Sequence, residues 1–182
     1  MNPALRIALF PVGDVDPVII SRLREDLQGI FDTLVHPCAA MPLGGRHFVK
    51  GRGQHLADGL LEEFSAIVSG EGTILLGVTA ADLFSPGLSF VFGIANRGRA
   101  LISVFRLHPE FYGREPNAMV FRRRVLVEAV HELGHALGLS HCDYPGCVMY
   151  FSNWIGDTDR KGPGFCFRCA RSLERLVETG GA

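Results

Sequence analysis

The stretch "HELGHALGLSHC", residues 131–142, brings three histidines, a glutamate and a cysteine into one short run. His131 and His135 stand four positions apart, which on an α-helix puts them ~40° apart around the axis and one turn along it. Two imidazoles at that spacing can reach one cation at the ~2.0–2.1 Å that zinc requires. Glu132 is offset by ~100° from His131, so its carboxylate can border the site without ligating the ion. Gly138 suits the left-handed residue that ends a helix, and the bend it allows turns His141 back as a third ligand. Three neutral nitrogens leave a fourth position for water, the arrangement of a catalytic zinc. Glu132 is then placed to take the proton of a zinc-activated water and act as general base and acid.

Cysteines form a second group. Cys142 and Cys147 are separated by four residues, Cys166 and Cys169 by two, with 18 residues between the pairs. Four thiolates favour a closed tetrahedral zinc with no open position. Past Gly138 the chain is rich in Gly, Pro, Cys and Asp and has little with which to build a core. A structural zinc there can supply ~10–16 kcal/mol of apparent folding free energy. Two disulfides, a redox CxxC pair, an iron–sulfur cluster and a nucleic-acid-binding knuckle are the alternatives. The few basic residues around the cysteines argue against the last. Cys38, the odd fifth cysteine, reads as a small buried hydrophobe.

HExxHxxGxxH followed by "GCVM" with Met149 resembles the signature and methionine turn of the metzincin metallopeptidases. The continuation "HCDYPGCVM" and then "FCFRC" is similar to the archaemetzincin branch. That likeness runs closely from His131 to Cys169, whereas the first 115 residues match in layout only. The resemblance implies a zincin fold, hydrolysis of peptide bonds, a hydrophobic floor formed by Met149 beneath the zinc, and a second, structural zinc at the four cysteines. Some metzincins place a zinc-binding tyrosine two residues after the methionine. Phe151 stands there in this chain, so no tyrosine ligand is expected.

Other elements must position these groups. "RIALFPVGDV" reads as a buried strand and a turn, and residues 16–31 as a helix with Ile19, Leu23 and Leu27 on one stripe. "TLVHPCAAMP" and "GTILLGVTAADLF" give further strands, with a glycine-rich basic loop ("GGRHFVKGRGQ") and a second helix over residues 55–70 between them. Strands alternating with helices predict a mainly parallel sheet. "LSFVFGIA" and "ALISVFRL" flank "NRGR", a hairpin that should add an antiparallel strand. From Ala118 to Leu137, capped by Asn117, apolar residues cover nearly all sides of a helix, so it should be central and buried. The "RRR" run at residues 122–124 reads as its solvated start with acidic partners nearby in preference to a nucleic-acid patch, Trp154 as a core anchor in preference to a pocket lining, and "ARSLERLVE" as a last helix.

The expected fold is therefore α/β (α+β) and metzincin-like: a twisted mixed sheet with helices, an active-site helix, a methionine turn and a small zinc-stabilised C-terminal part. One domain is expected over residues 1–182, its upper part being 1–138 and its lower part 139–182. With 182 residues, 47% hydrophobic and 20% charged, a chain can bury roughly 70% of its unfolded surface. The formal net charge of −1 implies no bulk attraction to nucleic acid or anionic membrane. No run approaches the ~20 apolar residues of a membrane span, and the N-terminus lacks the pattern of a signal peptide. A monomeric cytoplasmic zinc peptidase acting on peptide or protein substrates is the expectation. The competing reading is a peptide-binding or scaffold protein that keeps the zinc site with silent or highly restricted turnover.

Overall fold

A computed structural model of the chain describes residues 5–67 and 70–178. Strand β1 (Arg6–Val12) leads to helix α1 (Pro17–Phe31), which Asp16 caps by accepting from Val18 N. Strand β2 (Leu34–Pro37) follows. A short hairpin, β3 (Phe48–Val49) and β4 (Gln54–Leu56), precedes helix α2 (Ala57–Glu63). Next come β5 (Thr73–Thr79), β6 (Leu83–Phe84), β7 (Gly93–Asn96) and β8 (Arg99–Ser103). The long helix α3 (Ala118–Ala136) is followed by α4 (Ile155–Arg160) and α5 (Phe167–Glu178).

The main sheet has the order β2-β1-β5-β8-β7. Its first four strands run parallel, and β7 pairs antiparallel with β8 at the edge. Strands covered on both faces read as continuous apolar runs, which accounts for "TILLGV". Alternation then divides the core. Ile7, Leu9, Ile74, Leu76 and Ile102 pack with Leu23 and Leu27 of α1 and Val127 and Val130 of α3. Phe10, Leu75 and Leu101 face the other way, against Leu60 and Leu61 of α2 and Phe64 beyond it.

The mixed sheet, the hairpin at "NRGR" and the buried long helix agree with the sequence. Four details differ. The helix expected over residues 55–70 ends at Glu63 and continues as a 3-10 turn, Phe64–Ala66, while its residues 68–69 lie outside the described residues. The basic glycine-rich loop folds as β3 and β4 and joins β6 in a second small sheet. Arg52 of this hairpin donates to the carbonyls of Leu88 (3.2 Å) and Ser89 (2.9 Å), pinning the segment that leads into β7. Cys38 is exposed rather than buried: it follows the edge strand β2, its N–H still bonded to Leu9 O of β1 while its side chain faces solvent.

The arginine run is the fourth. Arg122 pairs with Asp26 of α1, and Arg123 donates to Lys161 O (2.7 Å). Arg124 is fully buried, bonded to both carboxylate oxygens of Asp159 (2.7 and 2.8 Å) and to Leu107 O (3.0 Å). Acidic neighbours are present as expected and Met119 and Arg122 are exposed, so the helix start is solvated on that side, whereas Arg124 is buried against α4.

Candidate metal centres and the cleft

Asn117 starts the site helix, its Oδ1 accepting from Met119 N and Val120 N. At the other end Gly138 N donates to His135 O and Leu139 N to Gly134 O. Gly138 has φ +98°, a left-handed conformation that side-chain-bearing residues rarely adopt. The chain reverses there and returns His141 to the helix.

Each ring of the helix is oriented by a carbonyl. His131 Nδ1 lies 2.7 Å from Val148 O, and His135 Nδ1 lies 2.8 Å from Leu139 O. Carbonyls only accept, so both Nδ1 atoms carry the proton and both Nε2 atoms present a lone pair. Those lone pairs converge: His135 Nε2 is 3.2 Å from His131 Nε2 and 3.1 Å from His141 Nε2. Lone pairs that close repel unless a cation lies between them. A tetrahedral zinc with ~2.0–2.1 Å bonds sets its nitrogens ~3.3 Å apart, close to what is found. The imidazoles are also held neutral, as ligands must be. Burial pushes His131 down to about 2 and also lowers His135 and His141.

The four cysteine sulfurs gather separately, all within 4.8 Å of one another. Cys142 Sγ and Cys166 Sγ are 3.8 Å apart, the edge expected of a tetrahedron with ~2.3 Å zinc–sulfur bonds. All five cysteines are free. Backbone N–H groups point at the sulfurs, Cys166 N at Cys147 Sγ (3.3 Å) and Tyr144 N at Cys142 Sγ (3.5 Å). The thiol of Cys166 is lowered to about 7, chiefly by the N–H of Cys169, whereas burial raises Cys147 and Cys169. The donor set of each cluster therefore fits zinc, one with three nitrogens and one with four sulfurs.

One backbone bond joins the clusters to the methionine turn: Cys142 N donates to Met149 O (2.9 Å). Met149 is fully buried, and its Sδ would lie 2.4 Å from a Cβ placed on Gly134. Phe151 sets its ring edge-on to His141 at 4.9 Å. Trp154, expected in the core, is 55% exposed because it folds over Gly156 at the start of α4.

Glu132 lies beside this floor in a cleft of about 260 Å³, lined also by Phe90, Phe92, Gly93, Glu128 and Phe151. Burial raises its carboxyl to about 8, with help from Glu128 and opposition from Lys161. A larger cavity, about 620 Å³, lies between α1 and the start of α3 and contains none of the expected site residues. The sequence reading missed Gly93, Glu128, Thr158 and Lys161. Only Glu128 carried a usable signal, since it stands one helical turn before Glu132. No helix among the described residues is long and apolar enough to cross a membrane.

The family model described as peptidase family M54 matches residues 54–175, more than half of the chain. The chain belongs to peptidase family M54. This M54 chain is 40% identical to the archaemetzincin of Pyrococcus furiosus over 182 residues, covering 96% of this chain and 95% of that one. It superposes on the crystal structure of archaemetzincin from Methanopyrus kandleri with a TM-score of 0.83 and 35% identity, covering 96% of each chain. A zinc-dependent peptidase from Methanocorpusculum labreanum matches with a TM-score of 0.80 and 30% identity, over 92% of this chain and 99% of that one. The archaemetzincin resemblance of residues 131–169 thus extends along the chain, and the M54 chain is a zinc metallopeptidase, a hydrolase of peptide bonds.

Proposed function

We propose that His131, His135 and His141 hold the catalytic zinc of this peptidase, and that Cys142, Cys147, Cys166 and Cys169 hold a second, structural one. The observation that carries the reading is the convergence of three Nε2 atoms, two of them fixed as lone-pair donors, beside the Glu132 carboxylate in a cleft. When bound, zinc supplies Lewis acidity toward a carbonyl oxygen and a water acidified to a pKa of ~7.

Everything else falls to the chain's own residues. An extended peptide adds antiparallel to β7, whose outer edge has no partner strand among the described residues. Of the two segments expected to offer an edge, the "SFVFGIA" run supplies it, since β8 is interior to the sheet. The rim segment 88–92, held by Arg52, and Phe151 on the opposite side confine the peptide and exclude water from the cleft. A Glu132 Oε atom takes the proton of the attacking water and passes it to the leaving amine. A carboxyl whose pKa lies near neutrality suits both transfers.

Glu132→Ala tests this directly. Peptide hydrolysis should fall by ~10²–10⁴-fold, while elemental analysis still finds two zincs per chain. Cleavage of a peptide library by that variant at the wild-type rate would remove Glu132 from the mechanism. The small volume of the cleft favours a second reading, peptide binding with highly restricted turnover. Sustained, chelator-sensitive turnover of the library by the wild-type protein excludes it.

A further inference from the structure

Lys161 ends α4, and its side chain is completely buried. Its Nζ donates to Tyr150 O at 3.1 Å and lies 3.6 Å from Glu128 Oε1, itself 2% exposed. Thr158 Oγ1 donates to the same Glu128 oxygen at 2.8 Å. The backbone of Lys161 is held as well, its N–H on Asp157 O and its carbonyl under Arg123. Burying such a pair is no efficient source of stability, because an apolar pair of similar volume often serves as well or better. The ammonium therefore calls for a role other than stabilisation.

Its contacts supply one. Residues 148–150 pass beneath α3 with all three carbonyls engaged: Val148 O accepts from the His131 ring, Met149 O from Cys142 N, and Tyr150 O from Lys161. Met149, between them, packs on Gly134 of the same helix. Glu128, the other partner of Lys161, lines the cleft one turn before Glu132. One ammonium thus ties the segment that orients His131 to the helix that carries it. It also compensates a carboxylate in the cleft wall.

We propose that Lys161 is a positioning residue for the catalytic centre: its bond to Tyr150 O fixes segment 148–150 against α3 and so fixes the His131 ring. The inference rests on the histidine-zinc reading above. It is tested in the full chain with both metals loaded, in Lys161→Met/Glu128→Gln, which removes the charges without stranding one. Cobalt(II) exchanged into the histidine site gives visible bands that report ligand geometry apart from turnover. Residues that orient a metal ligand typically contribute 10–100-fold to activity or metal affinity.

The expected result is a folded protein with the cysteine-site metal retained and an unchanged KM. Its kcat should be down about 10-fold or more, with cobalt bands displaced. Lys161→Gln/Glu128→Gln keeps a donor for Tyr150 O and should recover the wild-type bands and most of the kcat of Glu128→Gln alone, the reference for what the change in the cleft wall does by itself. A folded Met/Gln variant with wild-type kcat and bands overturns the proposal, as does a loss confined to KM. Should the Met/Gln variant not fold, displaced bands in the folded Gln/Gln protein overturn it and wild-type bands support it. Wild-type protein that binds both metals yet cleaves no peptide sinks the peptidase reading instead, and the cobalt bands still decide the role of Lys161.

Discussion

Gly93 and Glu132 meet so closely that no side chain fits between them: a Cβ on Gly93 would lie 2.5 Å from Glu132 Cγ and 2.8 Å from its Oε1. The first residue of the edge strand is therefore bare because the carboxylate occupies the space. Gly93→Ala has to push Glu132 or the strand aside. Displacements of ~1 Å at a reacting group typically cost about 10²-fold in rate. The expected outcome is a kcat/KM lower by about that factor, with both metals and the melting temperature nearly unchanged. Wild-type kcat/KM in this variant would mean that the Glu132 position does not limit the reaction.

Glu132 also gives the protein stripped of its histidine-site metal a distinctive pH response. Its folded pKa of about 8 exceeds the ordinary 4.5, so between those values the folded state binds more protons than the unfolded one. Stability contributed by the protonated carboxyl is therefore complete below pH 4.5 and lost as pH rises through about 8. His131, lowered to about 2 from 6.5, acts in the opposite direction, but its contribution is complete by pH 6.5. From pH 6.5 to 8 the carboxyl acts alone of the two, with a slope approaching about 1.4 kcal/mol per pH unit. Urea melts across that window should show falling stability in the wild type and a flatter line in Glu132→Gln. Parallel lines would rule out the raised pKa.

These two relationships mark where the sequence stops being legible. The histidines, the four cysteines and Gly138 could be read because helical periodicity and short chelating loops are local properties, and the structure brings the histidines and the cysteines together as expected, whereas Met149 was legible only through the family resemblance. The hairpin at "NRGR" and the apolar strands were legible for the same reason. Gly93, Lys161 and the hairpin at Arg52 were not, because their roles arise only when distant segments meet. Gly93 reaches Glu132 across 39 positions, and Lys161 reaches Glu128 across 33. Arg124 was misread for a related reason. Beside two other arginines it looks solvated until Asp159 is known to lie beneath it.

Adjacent residues His141 and Cys142 belong to different clusters, and Cys142 N is bonded to Met149 O. With the proposed structural zinc at the four cysteines, losing Cys142 from that cluster frees the backbone that presents His141. Cys142→Ser should lose the structural metal and weaken zinc at the histidine site by about 10-fold or more, measured by competition with a chromophoric chelator. An unchanged affinity at the histidines would show that the two sites are independent.

Arg124 separates stability from catalysis. Its guanidinium is fully buried and shared between Asp159 and Leu107 O, near the start of α3 and two helical turns before His131. Arg124→Met leaves Asp159, one-third exposed, without its partner but still in reach of water. Breaking a buried pair by removing one member costs about 3–5 kcal/mol when the remaining charge stays dry. Because Asp159 can rehydrate, the loss should fall at or below the lower end of that range. For a chain of this size, each kcal/mol lowers the melting temperature by roughly 2–4 °C. The variant should therefore melt several degrees lower yet keep its kcat at temperatures where it is folded, since the partners of Arg124 among the described residues, Asp159, Leu107 and Tyr112, are not part of the cleft lining. A kcat loss below the melting transition would place the Arg124–Asp159 pair among the groups that set the catalytic geometry.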